Sequence, residues 1–200
     1  MLEHGYSPKT DDGKPGNMQK SKVPGEPGIW VLILGEMSVF AVMFVSFLLA
    51  RSGEVAQFHL SCQQLDRGSA VLNTIVLLTS SLFVAMGVRA ARERSTLVAR
   101  RLFLAGAALG FAFVTVKSHE YYVLLERGVT LSTNMFFSYY FGLTILHLIH
   151  VAAGVVILLL LGWRLELLSS KLAIVESAGC WWHMVDLLWV IIFPLLYLVE

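Results

Sequence analysis

MFFSYYFGLTILHLIHVAAGVVILLLLGW, residues Met135 to Trp163, runs for 29 positions without an aspartate, glutamate, lysine or arginine. A helix needs about 20 residues to cross the hydrocarbon core of a bilayer. This stretch is long enough to span one, and nothing in it interrupts a helix. Its reading decides the fold, because a chain with such a segment folds in lipid.

Working outward, the flanking segments repeat the pattern. Leu102 to Val116 is apolar but short, so it reaches across only by taking in Lys117, Ser118, His119 and Glu120. Ala178 to Val199 is long enough and contains His183 and Asp186. Nearer the N-terminus, Ala70 to Val88 carries no charge, and Ile29 to Ala50 carries Glu36 alone. The whole chain is 56% hydrophobic and 14% charged, against about 25% charged in soluble domains. The sequence therefore predicts an all-α integral membrane bundle of five transmembrane helices, one domain over residues 29–200, with no separate soluble domain.

Residues 1–28 are polar, rich in glycine and proline, and lack the apolar core of a signal peptide. They read as a flexible tail. Its last part, Pro24-Gly25-Glu26-Pro27-Gly28, resists helix because proline removes a donor and biases its predecessor toward extended geometry. The first helix is expected just after it. Lys9, Lys14, Lys20, Lys22, the arginines between Arg89 and Arg101, Arg164 and Lys171 fall on one side of this arrangement. Arg51, Arg67, Lys117 and Arg127 fall on the other. By the positive-inside rule the N-terminus is inside and the C-terminus outside. A net charge of +1 gives no argument for nucleic-acid binding. Cys62 and Cys180 fall on opposite sides, too far apart for a disulfide.

Ionisable side chains are costly in hydrocarbon and normally face protein or water. At about 1.5 Å per residue, Glu36 lies roughly 12 Å into the first helix and Asp186 roughly 11 to 12 Å into the fifth. His183 and Asp186 share a face. That face is expected to turn toward Glu36, so that Glu36, His183 and Asp186 form a buried polar core and Glu36 is a candidate proton carrier or reactive acid. Nearer the outside, His119, Glu120, His147 and His150 form a second polar layer, with Glu120 and His147 at similar depth and suited to pair. Zinc accepts such ligands, so His147, His150 and Glu120 admit a metal reading. Histidines hydrogen-bonded between helices are the ordinary alternative, and no metal is assigned. Trp181, Trp182 and Trp189 admit an aromatic-belt reading at the inner interface, but Trp189 is too deep for that and reads as packing. Pro194 is expected to loosen the last turns, and Gly106, Gly110, Gly142 and Gly154 to permit close helix contacts.

Four motifs occur in a telling order: GEMSVF with Glu36, LNTIVLLTSS opening the second helix, HEYY closing the third, and HLIHVAAG in the fourth, followed by ESAGCWWHMVDLLW in the fifth. Together they resemble the cytochrome c oxidase subunit III family of the haem-copper oxidases, in its five-helix form, from about Gly28 to Glu200. The resemblance implies an accessory, non-catalytic subunit with no redox centre of its own, lying in a bacterial inner membrane beside a catalytic subunit that holds haem and copper or iron. It further implies a lipid-filled cleft, hence bound phospholipid, and gives Glu36 as the carboxylate that carbodiimides modify in the family. The subunit would sustain proton uptake and protect the catalytic centre. Seven-helix members have two further helices at the start, and the family commonly has an aromatic at the position of Cys180. The lead-in PGEPGIW resembles the NorE-like branch associated with nitric oxide reductase, making that enzyme or a terminal oxidase the partner. From another class, a small transporter or proton channel built on Glu36 would use the same acids.

Overall fold

The computed structural model describes residues 25–168 and 172–198. Of the tail expected over residues 1–28, residues 1–24 lie outside the described residues, as does Lys171, while Gly25 and Glu26 hydrogen-bond to Glu176 and Ser177 and Pro27 and Gly28 belong to α1. The described residues form six α-helices: α1 Pro27–Gly53, α2 Val55–Cys62, α3 Arg67–Arg92, α4 Thr96–Glu126, α5 Met135–Leu168 and α6 Leu172–Phe193. All except α2 are long and apolar enough to cross a membrane. The five spans alternate in direction. The end of the bundle where α1 and α6 begin is called proximal here, and the opposite end distal.

The helix limits follow from local chemistry. α1 starts with Pro27 in its first turn, two residues earlier than expected, because a proline there gives up only an N–H that has no intrahelical acceptor. α2, with buried Phe58 and Cys62, is a short helix in a connector for which no helix was expected. Asp66 caps α3 by accepting from the Gly68 N–H at 2.9 Å. α4 continues past Glu120 to Glu126 and closes on Gly128, whose φ of 73° favours glycine. Asn134 accepts from the Phe137 N–H at 2.9 Å to start α5, and its amide donates to Ser61 of α2. α6 begins at Leu172, six residues before the expected start. After Phe193 the missing proline donor loosens the ladder into a π-helical turn, Pro194–Leu198, as expected of Pro194.

α3, α4, α5 and α6 form the compact body, and α1 lies against α5 and α6 by a narrow stripe of Ile33, Phe40 and Phe47, spaced by sevens. Its other faces present Val31, Leu34, Val42, Val45 and Leu49 outward, as suits a lipid-facing surface. At the centre, Trp182 is fully buried between α4 and α5. A Cβ added at Gly110 would come within 2.6 Å of its ring and one at Gly154 within 2.7 Å, so both positions exclude a side chain. At Gly142 the nearest approach is an ordinary 3.6 Å, and no close packing depends on it.

Candidate functional site

The polar side chains in the bundle gather in three places. The first is a cage near the distal end. Lys117 of α4, 1% exposed, donates to Glu120 Oε2 at 3.1 Å and to the Tyr140 hydroxyl at 3.1 Å. It also donates to Tyr197. Both tyrosines in turn donate to Glu120 Oε1 at 2.7 Å. Four rings, those of Tyr121, Tyr140, Trp189 and Tyr197, lie within 5.6 Å of the ammonium, a distance at which the ring quadrupole attracts a cation. Removing two charges from water costs several kcal/mol per ion, which is repaid only with good geometry and further hydrogen bonds. Here the hydroxyls and rings supply those partners.

Glu120 therefore does not pair with His147, contrary to expectation. Because α4 runs on to Glu126, Glu120 is level with Tyr140, whereas His147 lies about 10 Å deeper along its helix. A full positive charge three residues away on the same face also competes better than a neutral imidazole. His147 is instead wholly buried between rings, edge-on to Phe113 at 5.7 Å and stacked on Trp189 at 5.3 Å, with neither nitrogen hydrogen-bonded among the described residues. The Trp189 N–H donates across to Thr74 of α3 at 3.0 Å. His119 is exposed and lines a distal crevice of about 250 Å³ with Asp66, Glu120 and Arg127.

The second place centres on Glu36, which pairs with His150 of α5 at 3.1 Å and not with His183. His150 Nδ1 is 2.7 Å from the Leu146 carbonyl, and its ring lies against Phe40 and stacks on Trp181 at 5.6 Å. The physical reason is rotation about α6. Trp181 occupies the side facing α1 and α5, and His183, two residues on, is about 200° further round. Depth adds to this for Asp186: with α6 starting at Leu172 it stands about 21 Å along its helix, against about 14 Å for Glu36. Below the Glu36–His150 pair an apolar groove of about 390 Å³ runs toward the proximal end between α1, α5 and α6, past Leu32, Ala153, Ile157 and Ser177. The Glu36 side chain is 29% exposed.

The third place is on α3 and α6. His183 Nδ1 is 2.7 Å from Ser81 Oγ, and the His183 side chain is 45% exposed, so it is not part of a buried core. Asp186 is buried, 4.0 Å from His183, with both oxygens lacking a hydrogen bond among the described residues. Buried Asn73 likewise has neither amide atom bonded. At the proximal end Glu176 of α6 accepts from the Gly25 N–H at 3.0 Å and from Arg92 Nε at 2.8 Å, tying the lead-in of α1 and the end of α3 to α6.

The seven side chains singled out in the sequence thus divide into separate groups: Glu36 with His150, His183 near Asp186, Glu120 with Lys117, His147 among rings and His119 at the surface. Glu120, His147 and His150 do not converge, and among the described residues no three histidine, cysteine or acidic side chains are placed to share a metal ion. Sequence reasoning missed Lys117, Tyr140, Tyr197 and Ser81. The three-residue spacing of Lys117 and Glu120 was a readable signal, whereas the tyrosines arrive from two other helices. Chemically, the cage fixes three helices relative to one another, and Glu36 stands one helical turn along α1 from Leu32, which lines the apolar groove.

The family described as "Cytochrome c oxidase subunit III" matches residues 25–200. A cytochrome c oxidase subunit 3 from Synechocystis sp. is 31% identical, over 86% of this chain and 74% of that protein. A cytochrome bo(3) ubiquinol oxidase subunit 3 from Buchnera aphidicola is 25% identical over 86% and 84%. A protein from Aeropyrum pernix described as a heme-copper oxidase subunit I+III is 27% identical, the match covering 86% of this chain and 22% of that protein.

Proposed function

The chain belongs to the cytochrome c oxidase subunit III family, and from that membership we propose that it serves as an accessory membrane subunit docked beside the catalytic subunit of a haem-copper complex. The observation that carries this reading is the extent of the match, which takes in all five membrane-spanning helices together with the Glu36–His150 pair and the Lys117–Glu120 cage. The geometry supports it. Lys117, Glu120, Tyr140 and Tyr197 are spent on one another, an arrangement that positions helices. The Aeropyrum pernix relative, described as subunit I+III, is consistent with close association of the two parts.

Three finer statements belong to the same proposal. The groove between α1, α5 and α6 holds a lipid acyl chain, since its walls are apolar and it opens along the bundle. Glu36, one helical turn along α1 from the groove-lining Leu32 and partly exposed, is the acid placed to pass protons. The PGEPGIW lead-in favours a nitric oxide reductase partner of the NorE-like kind over a terminal oxidase. Haem and metal would then reside in that partner.

Gentle purification of the tagged chain from its native membranes tests the assignment. A haem-containing polypeptide is expected to co-elute in roughly equal amount, and its sequence by mass spectrometry decides between oxidase and reductase. Recovery of the chain always alone would overturn the reading.

A further inference from the structure

We propose that the α3–α6 face around Ser81 and His183 is the docking surface for a transmembrane helix of the catalytic subunit, one that brings a hydrogen-bonding side chain to His183 at mid-membrane depth. This rests on the accessory-subunit reading and names the surface that would serve it.

The starting observation is where His183 stands. It is about 17 Å along α6, near the middle of a hydrocarbon core roughly 30 Å thick, yet its side chain is 45% exposed. Ser81 engages Nδ1 at 2.7 Å, and Nε2 has no hydrogen-bond partner among the described residues. Asp186 sits one turn further along the same helix, 4.0 Å from His183 Nδ1, with neither oxygen hydrogen-bonded among the described residues. Other outward-facing hydroxyls behave differently: Ser38 donates to the Leu34 carbonyl, Thr79 to that of Ile75 and Thr115 to that of Phe111. Each is satisfied by its own helix and can face acyl chains quietly. The imidazole has no such local solution, because its outer nitrogen is beyond the reach of its own backbone.

Acyl chains offer neither donor nor acceptor, and an unsatisfied polar group in hydrocarbon is costly. Phospholipid headgroups lie about half the core thickness away from this level. The group that can reach His183 laterally is therefore a side chain on another membrane helix. The surroundings suit one: Leu78 and Ala85 on α3, and Leu187 and Val190 on α6, share this face by helical spacing and are exposed. A polar anchor within a surface of apolar and small residues is how membrane helices fix their packing partners. The groove on the opposite side of α6 has no comparable demand, since Glu36 there already holds His150.

The test is made in cells that carry the whole complex. A photo-crosslinking amino acid at Leu187 is expected to give a light-dependent adduct with the haem-bearing subunit, at least tenfold more than the same group at Val42 on α1. His183→Leu should lower co-purified haem at least fivefold while the chain's melting in detergent holds or rises, and His183→Gln, which can still donate and accept, should keep most of it. Adducts with the catalytic subunit from Val42 and none from Leu187, adducts joining Leu187 to a second copy of this chain, or undiminished haem with His183→Leu would each overturn the surface while leaving the accessory role intact. A wild-type chain that brings down no haem would overturn both.

Discussion

Lys117 shows what one side chain can demand of a membrane bundle. An ammonium that is 1% exposed needs a counter-charge and hydrogen-bond acceptors within reach, and the tertiary structure meets the need from three helices at once. Removing one partner of a buried ion pair leaves an uncompensated charge, at a cost of about 3–5 kcal/mol. Replacing both partners by apolar groups of similar volume is often nearly neutral. Lys117→Met alone is accordingly expected to cost about 3 kcal/mol or more, and the double variant Lys117→Met with Glu120→Leu to regain most of that. Thermal melting of wild type, Lys117→Met, Glu120→Leu and the double variant in one detergent measures the coupling, and simple additivity would show that the pair is not a unit. At this scale the sequence was half legible. Lys117 and Glu120 stand three apart in plain view, but which tyrosines complete the cage depends on the relative heights of α4, α5 and α6.

At the scale of the element, what distinguishes these helices is how they begin and end. Apolar content marks the part of a helix inside lipid, whereas its ends lie in the interface, where polar residues cap and prolong it. This is why α4 outruns its apolar stretch at both ends, while α6 starts well before Ala178 because Glu176 and Ser177 meet Arg92, Gly25 and Glu26 without breaking the helix. Asp66 makes the point testable. Its carboxyl is held below the ordinary carboxylate range, chiefly by the Ser69 hydroxyl, against an opposing desolvation and with smaller help from the backbone N–H groups of Ser69 and Gly68. A carboxylate with a depressed folded pKa contributes stability above its unfolded value and loses it as pH falls through the folded one. Asp66→Ala should therefore lower stability by about 1 kcal/mol near neutral pH, and the gap from wild type should close as pH falls below about 4. Paired melts across pH check it, and a constant gap down to pH about 2 would show that the cap does not act through its charge.

For the molecule as a whole, the arrangement of five spans assigns each connector to a side of the membrane. The α3–α4 turn at Glu93–Ser95 is flanked by Arg89, Arg92, Arg100 and Arg101, and the connector at 127–134 joins α4 to α5 at the other end. The positive-inside expectation of an inner N-terminus predicts that Ser95→Cys, in a background without Cys62 and Cys180, reacts with a membrane-impermeant maleimide in inside-out vesicles only. Thr130→Cys should react in right-side-out vesicles only. The reversed pattern would invert the topology.

The sequence by itself determined that this chain folds in lipid, where its spans lie and to which family it belongs, because each follows from residue type and order: run length against bilayer thickness, and motifs in a fixed succession. Only the tertiary structure decided who meets whom. Glu36 found His150, Glu120 found Lys117 and two tyrosines, and His183 faced outward beside Ser81. Partners across helices depend on axial offset and rotation, and a shift of a few residues in a helix start, as at Leu172, or a neighbour as large as Trp181 on one side of α6, is enough to redirect a side chain.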